Sequence, residues 1–359
     1  MKKVLSLVLA LAMLLTGSVA LAGELALVTD IGTIDDKSFN QGSWEGLAWY
    51  AEENDISHEY YRPMDASPDA YLDSIQLAVE NGAKLVVTPG FLFEPAIFMA
   101  QSMYPETMFV LVDGVPNDGD WSNGAPEFRT DDNVLSILYA EEQSGFLAGY
   151  AAVKEGYTNL GFIGGIAVPA VVRFGIGFIE GADYAAQEMG LEAGAVTVNY
   201  SYSGVFWPTP EVQAMAASWY NDGVEAIFVA AGGATSSVTA AAEAAEGKWV
   251  IGVDSDQSEM SPTILTSALK TLQTSVYMAI AAMYDGEFPG GQTWVMGADN
   301  DGVGLPMDTS RFSTFGQADY DAVYAKLVSG EIEVVSDDDL EDGSTPDFPC
   351  EVVIYTVFQ

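Results

Sequence analysis

One histidine and one cysteine in 359 residues leave little from which to build a catalytic site. No Ser-His-Asp or Cys-His constellation can be assembled around His58, and a solvated or satisfied surface histidine is the plainer reading of it. Cys350, alone and near the C-terminus, excludes an internal disulfide and a cysteine-based metal site. Basic residues are scarce as well, 12 Lys and Arg against 52 Asp and Glu, for a formal net charge of −40. Phosphate backbones need clustered Lys and Arg, so nucleic acid is excluded as a partner. The same shortage makes each remaining cation notable. Cofactor loops are also missing. The run Gly175-Ile176-Gly177-Phe178-Ile179-Glu180-Gly181 misses the dinucleotide spacing by one residue and lies inside a helical pattern, and Gly247-Lys248 is followed by Trp249 where a P-loop needs Ser or Thr. No catalytic residue, metal ligand or cofactor is assigned.

What is present begins with Lys2 and Lys3, an apolar run over 4–15 and Ala20-Leu21-Ala22, the three-part layout of a signal peptide over residues 1–22. Export to a periplasm or cell surface is expected. No lipidation cysteine stands at the cleavage site. Beyond it, short aliphatic runs at 24–29, 56–61, 84–88, 107–112, 159–163, 195–200, 226–229 and 249–253 read as strands of a buried parallel sheet. Helical segments are expected between them at 39–54, 68–82, 94–104, 135–155, 171–190, 210–223, 236–247 and 271–286. Repeated βαβ units follow from this alternation. The pattern restarts after a polar, Pro- and Gly-rich stretch at 116–132, so two sheets are expected rather than one. Two such lobes facing each other make a cleft lined by loops at the carboxyl ends of the strands. The chain turns acidic from Ser336, and that tail has no functional reading in the sequence.

The most informative segment follows the first strand: Asp30-Ile31-Gly32-Thr33-Ile34-Asp35-Asp36-Lys37-Ser38-Phe39-Asn40-Gln41. Helix capping explains Asp36 and Ser38. It gives no reason for Phe39 and Asn40 at a helix start. With Val110-Leu111-Val112-Asp113, Gly145 to Gly149, Arg173-Phe174 with Gly177 and Gly181, Ala230-Ala231-Gly232-Gly233, Val253-Asp254 and Thr266 to Lys270, the segment resembles the basic membrane protein family. These are purine nucleoside receptors, substrate-binding proteins of ABC transporters. The resemblance covers about residues 24–330 and implies an α/β type I periplasmic-binding-protein fold, two doubly wound parallel-sheet lobes joined by a hinge.

It implies a site as well. Phe39 and Phe206 match the two rings that clamp the purine, and base stacking of that kind contributes about 1–3 kcal/mol per base. Asn40 and Asp113, helped by Asp30, match the groups that read the base edge. Gly232, Asp254 and Lys270 match those that hold the ribose. Two alternatives stay open within the pattern: Trp207 in place of Phe206 as the second ring, and Asp256 in place of Asp254. Thr33, where the family usually has a second Gly, is a further departure. A permease partner and a monomer that closes by hinge bending are implied. Lobe one is expected over 24–133 and 264–291, lobe two over 134–263 and 292–336, and an acidic tail over 337–359. A sugar or another heterocycle bound in a sensory role is the alternative ligand. A metal-dependent nucleoside hydrolase fits less well, because its D-x-D-x-x-x-D-D spacing lacks the second Asp here.

Overall fold

The computed structural model describes residues 23–341 and 343–358, and the signal peptide read at residues 1–22 lies outside them. Strands β1 (Leu25–Val28), β2 (His58–Tyr61), β3 (Leu85–Pro89), β4 (Met108–Val112) and β5 (Val134–Tyr139) come first, with helices α1 (Phe39–Glu53), α2 (Pro68–Glu80) and α3 (Glu94–Met103) among them. Next come α4 (Glu141–Glu155), β6 (Asn159–Gly164), α5 (Pro169–Glu188), β7 (Val196–Tyr202), α6 (Pro210–Asn221), β8 (Ala226–Ala230), α7 (Thr235–Glu243), β9 (Trp249–Asp254) and β10 (Ile264–Lys270). Then follow α8 (Leu272–Tyr284), β11 (Gln292–Met296), β12 (Val303–Gly304), α9 (Gln317–Val328) and β13 (Val353–Phe358).

The strands form two sheets. One has the order β11-β5-β4-β3-β1-β2 and the other β12-β10-β9-β8-β6-β7-β13. All pairings are parallel except that of β10 with β12. Strands such as Leu25–Val28, Leu85–Pro89 and Ala226–Ala230 are buried at every position, as sheets covered by helices on both faces require. Each sheet reverses its strand order, between β1 and β3 in one and between β6 and β8 in the other. Ligands of such sheets sit at these switch points, beyond the carboxyl ends of the strands.

The division between lobes differs from the sequence reading in three places. Residues 134–139, expected to open a long helix over 135–155 and lobe two, form β5 and pair with β4 and β11 in the first sheet. Val-Leu-Ser-Ile-Leu-Tyr is apolar enough to suit a helix or a buried strand, and the free edge of β4 decides for the strand. Residues 264–270 pair with β9 in the second sheet, and residues 292–296 with β5 in the first. The chain therefore crosses between lobes at 139–141, 270–272 and 296–303. The tail, too, departs from expectation. β13 adds a parallel strand to β7, and Asp183 accepts from the backbone N–H groups of Glu351, Val352 and Val353.

Helices α4 and α5 pack at backbone distance. A Cβ at Gly177 would overlap the carbonyl of Glu142, one at Gly181 that of Phe146, and one at Gly149 that of Phe178. Only glycine fits at this crossing. Gly181→Ala is therefore expected to cost about 1–3 kcal/mol of folding stability by overpacking. A urea denaturation curve checks this, its midpoint falling while its slope is kept. The close approach also sets the first turn of α4 beside the second and third turns of α5, where Arg173 meets Glu141.

Candidate functional site

The carboxyl ends of both sheets open on one cavity of about 710 Å³ between the lobes. Asp30, Phe39, Asn40, Asp113, Phe206, Gly232, Asp254 and Lys270 all line it. Eight positions spread over 241 residues of sequence thus meet because each stands at the end of a strand, in the loop after one or in the first turn of a helix. Trp207 lines the cavity as well, with Trp121 and Phe128 from the loop after β4. Asp256 does not. It accepts from Thr309 Oγ1 at 2.7 Å and from the Ser258 N–H at 2.9 Å, in a separate groove. His58 also lies elsewhere, with its ring 5.4 Å from that of Trp44. Among the described residues, no group of three or more His, Cys, Asp or Glu is placed to hold a metal ion.

The turn after β1 is held by its own side chains. Asp30 Oδ1 accepts from the Gly32 N–H at 2.6 Å and from Asn40 Nδ2 at 2.9 Å, while Asn40 Nδ2 also donates to Asp36 Oδ2 at 3.0 Å. Asn40 Oδ1 accepts the Asp30 N–H at 3.3 Å. Asn40 thus uses both amide hydrogens and its carbonyl within the protein. Burial pushes the Asp30 carboxyl up to about 6, against the lowering effect of these bonds.

Asp113, just past β4, and Asp254, the last residue of β9, both have left-handed backbone, φ +57° and +65°. Aspartate tolerates that region better than most residues, but it costs free energy, and such outliers cluster at ligand sites. Each aims a buried carboxylate at the cleft. Asp254 Oδ2 accepts from Ser38 Oγ across the cleft at 2.5 Å, and Gln257 Nε2 donates to the Lys37 carbonyl at 2.9 Å. These bonds close the lobes upon each other.

Lys270, the last residue of β10, sits in the middle. Its ammonium pairs with Asp113 Oδ2 and lies 2.7 Å from Glu141 Oε1, an ion pair without a well-aligned hydrogen bond. The rings of Phe39 and Tyr139 each lie 5.1 Å from the ammonium. Burial works against its charge, yet Asp113, Glu141 and Asp254 outweigh that and hold its pKa above the ordinary lysine value. Arg173, in the second turn of α5, extends the chain of charge. Its Nη1 is 3.2 Å from Glu141 Oε2 and its Nε is 2.6 Å from Asp337 Oδ1. Burial pushes the Asp113 carboxyl up to about 7, with Lys270 opposing and Glu141 reinforcing the shift. Asp113 Oδ1 is buried and has no hydrogen-bond partner in the protein. A desolvated carboxylate oxygen left alone is costly, so a donor from a bound molecule is the natural complement.

Phe206 is wedged in place. A Cβ on Gly165 would collide with its ring, and Gly232 and Gly233 lie against its carbonyl oxygen. Trp207 is 49% exposed by comparison. The sequence reading missed Glu141, the Arg173–Asp337 pair, and Trp121 and Phe128 as cavity residues. Arg173 stood in a quoted motif, and its scarcity as a cation was the available signal. Nothing local marks Glu141.

Residues 24–338 match the family model described as ABC transporter substrate-binding protein PnrA-like. The chain belongs to that family. It is 31% identical over 317 residues to the ABC transporter nucleoside-binding protein BmpA of Lactococcus lactis subsp. cremoris, covering 82% of this chain and 84% of that one. Basic membrane protein A1 of Borrelia garinii subsp. bavariensis is 28% identical over 315 residues, 87% of this chain and 88% of that one. Among solved structures, an ABC transporter solute-binding protein from Aeropyrum pernix superposes with TM-score 0.72 at 25% identity, covering 87% and 93% of the two chains. One from Conexibacter woesei reaches TM-score 0.68 at 22% identity, over 87% and 98%. As a PnrA-like substrate-binding protein, the chain has the type I periplasmic-binding-protein fold that its two reversed sheets describe. No helix among the described residues is long and apolar enough to cross a membrane.

Proposed function

We propose that this chain is an exported receptor that traps a purine nucleoside between its lobes and presents it to the permease of an ABC importer. The observation that carries this reading is Asp113, whose carboxylate oxygen Oδ1 is buried without a partner in a cavity walled by Phe39 and Phe206. Flat rings suit a heterocycle, and an orphaned acceptor suits its ring N–H or exocyclic amine. Asp30 serves as the second acceptor, with Asn40 as its support because the amide is already fully bonded. Asp254 accepts from ribose hydroxyls. Lys270 has three donors and protein partners for two, which leaves one for the sugar. The nucleoside-binding name of the Lactococcus relative supports the same ligand class.

The reading involves no catalysis. The lobes close around the ligand, and the closed form is what the permease engages. Calorimetric titration with adenosine, guanosine and inosine tests it. At least one is expected to bind with a single-site isotherm, and silence from all three would remove the ligand assignment while leaving the fold.

A further inference from the structure

The C-terminal segment, which has no functional reading in the sequence, reaches the ligand cavity. After α9, the Val335 N–H donates to Glu180 at 2.8 Å, and a 3₁₀ turn over Asp337–Asp339 packs against α5. Asp337 is fixed there by Arg173 at 2.6 Å, and Asp338 lines the cavity. Further along, Tyr202 donates its hydroxyl to the Ser344 carbonyl at 2.7 Å, and β13 locks the segment to β7. The family match ends at residue 338, so the strand that anchors this turn lies beyond it.

The first turn of α5 supplies Pro169, Ala170 and Val171 to the cavity wall. A helix start is where an anion such as a phosphate is most readily held. Here the same cavity wall carries two carboxylates delivered by the tail, Asp337 paired with Arg173 in the next turn and Asp338, which is exposed. The remaining charges argue the same way. Eight carboxylate side chains line the cavity against two cations, and both cations are engaged, Arg173 by Glu141 and Asp337, and Lys270 by Asp113 and Glu141. Both positive charges of the cavity wall are thus compensated by carboxylates, which leaves no net positive charge there for a phosphate.

We propose that Asp338, carried to the cavity wall by the C-terminal segment, is a specificity-determining residue that excludes phosphorylated ligands, so that the site takes nucleosides and rejects nucleotides. The proposal rests on the nucleoside reading above. Its test is titration of the full chain with guanosine and guanosine 5′-monophosphate, in wild type, Asp338→Asn and Asp338→Lys. The monophosphate is expected to bind more weakly than guanosine by on the order of a hundredfold in wild type, the scale of a like-charge juxtaposition. That ratio should shrink in Asp338→Asn, shrink further in Asp338→Lys, and fall with added salt as the field is screened. Equal binding of the two ligands by wild type, or a ratio unmoved in both variants, overturns the role of Asp338 while leaving the nucleoside reading intact. Silence with guanosine, adenosine and inosine alike overturns both.

Discussion

Lys270→Met is expected to lower folding stability by about 3–5 kcal/mol at pH 7.5, the range found when one partner of a buried ion pair is removed. The Lys270 side chain is 1% exposed and is the common counter-charge of Asp113, Glu141 and Asp254. Without it, three carboxylates remain close together where water cannot screen them. The cost should depend on pH in a definite direction. Asp113 is already raised to about 7, so in the folded state it takes up a proton as pH falls below that, whereas in the unfolded chain it does so only near 4. Protonation quenches its part of the repulsion, and the gap between variant and wild type should narrow from pH 7.5 to pH 5. Urea unfolding at the two pH values measures both quantities. A loss under about 1 kcal/mol at pH 7.5 would mean that the cluster is solvated and that Lys270 does not hold it together.

How much of this was legible in the sequence depends on how local each signal was. The strand-end position of Asp30 and the odd placement of Phe39 at a helix start were visible because β1 and α1 are adjacent in the chain. The opposing wall could be placed only through family motifs, since nothing in residues 203–206 indicates that Gly165 and Gly232 will pin Phe206. The lobe boundaries were misplaced where the chain changes sheet. The run Val134–Tyr139 suits either secondary structure, and its choice depends on the vacant edge of β4, a fact remote in sequence. Residues 292–296 carry no long apolar run, because β11 is an edge strand and four of its five residues are not buried. Composition shows the tail only as acidic and offers no role for it. Its ordering depends on Asp183, Glu180 and Arg173, all on one face of α5 and more than 150 residues away.

Asp113→Asn should weaken binding of guanosine or inosine about ten- to a hundredfold, the value of one charge-assisted hydrogen bond. The substitution keeps the shape and removes the acceptor. Its amide oxygen will turn to the Lys270 ammonium, since the NH2 group cannot face a cation, and that turns a donor toward the base edge where an acceptor is needed. The pH dependence separates this from simple damage. In the empty wild-type protein Asp113 is protonated below about 7, and a ligand that donates an N–H to the ionised form must expel that proton. Wild-type affinity should therefore fall as pH drops from 7 to 6, by up to about tenfold per unit for one linked proton. Below pH 6 Asp30, raised to about 6, should steepen the fall. The Asn variant should lose the limb between 7 and 6 and keep the lower one. Calorimetry at pH 6.5 in two buffers of different ionisation enthalpy counts the proton directly. Clearly greater release on binding by wild type than by Asp113→Asn places that carboxylate against the base, and a pH-independent affinity in wild type between 5.5 and 8 removes it from the contact.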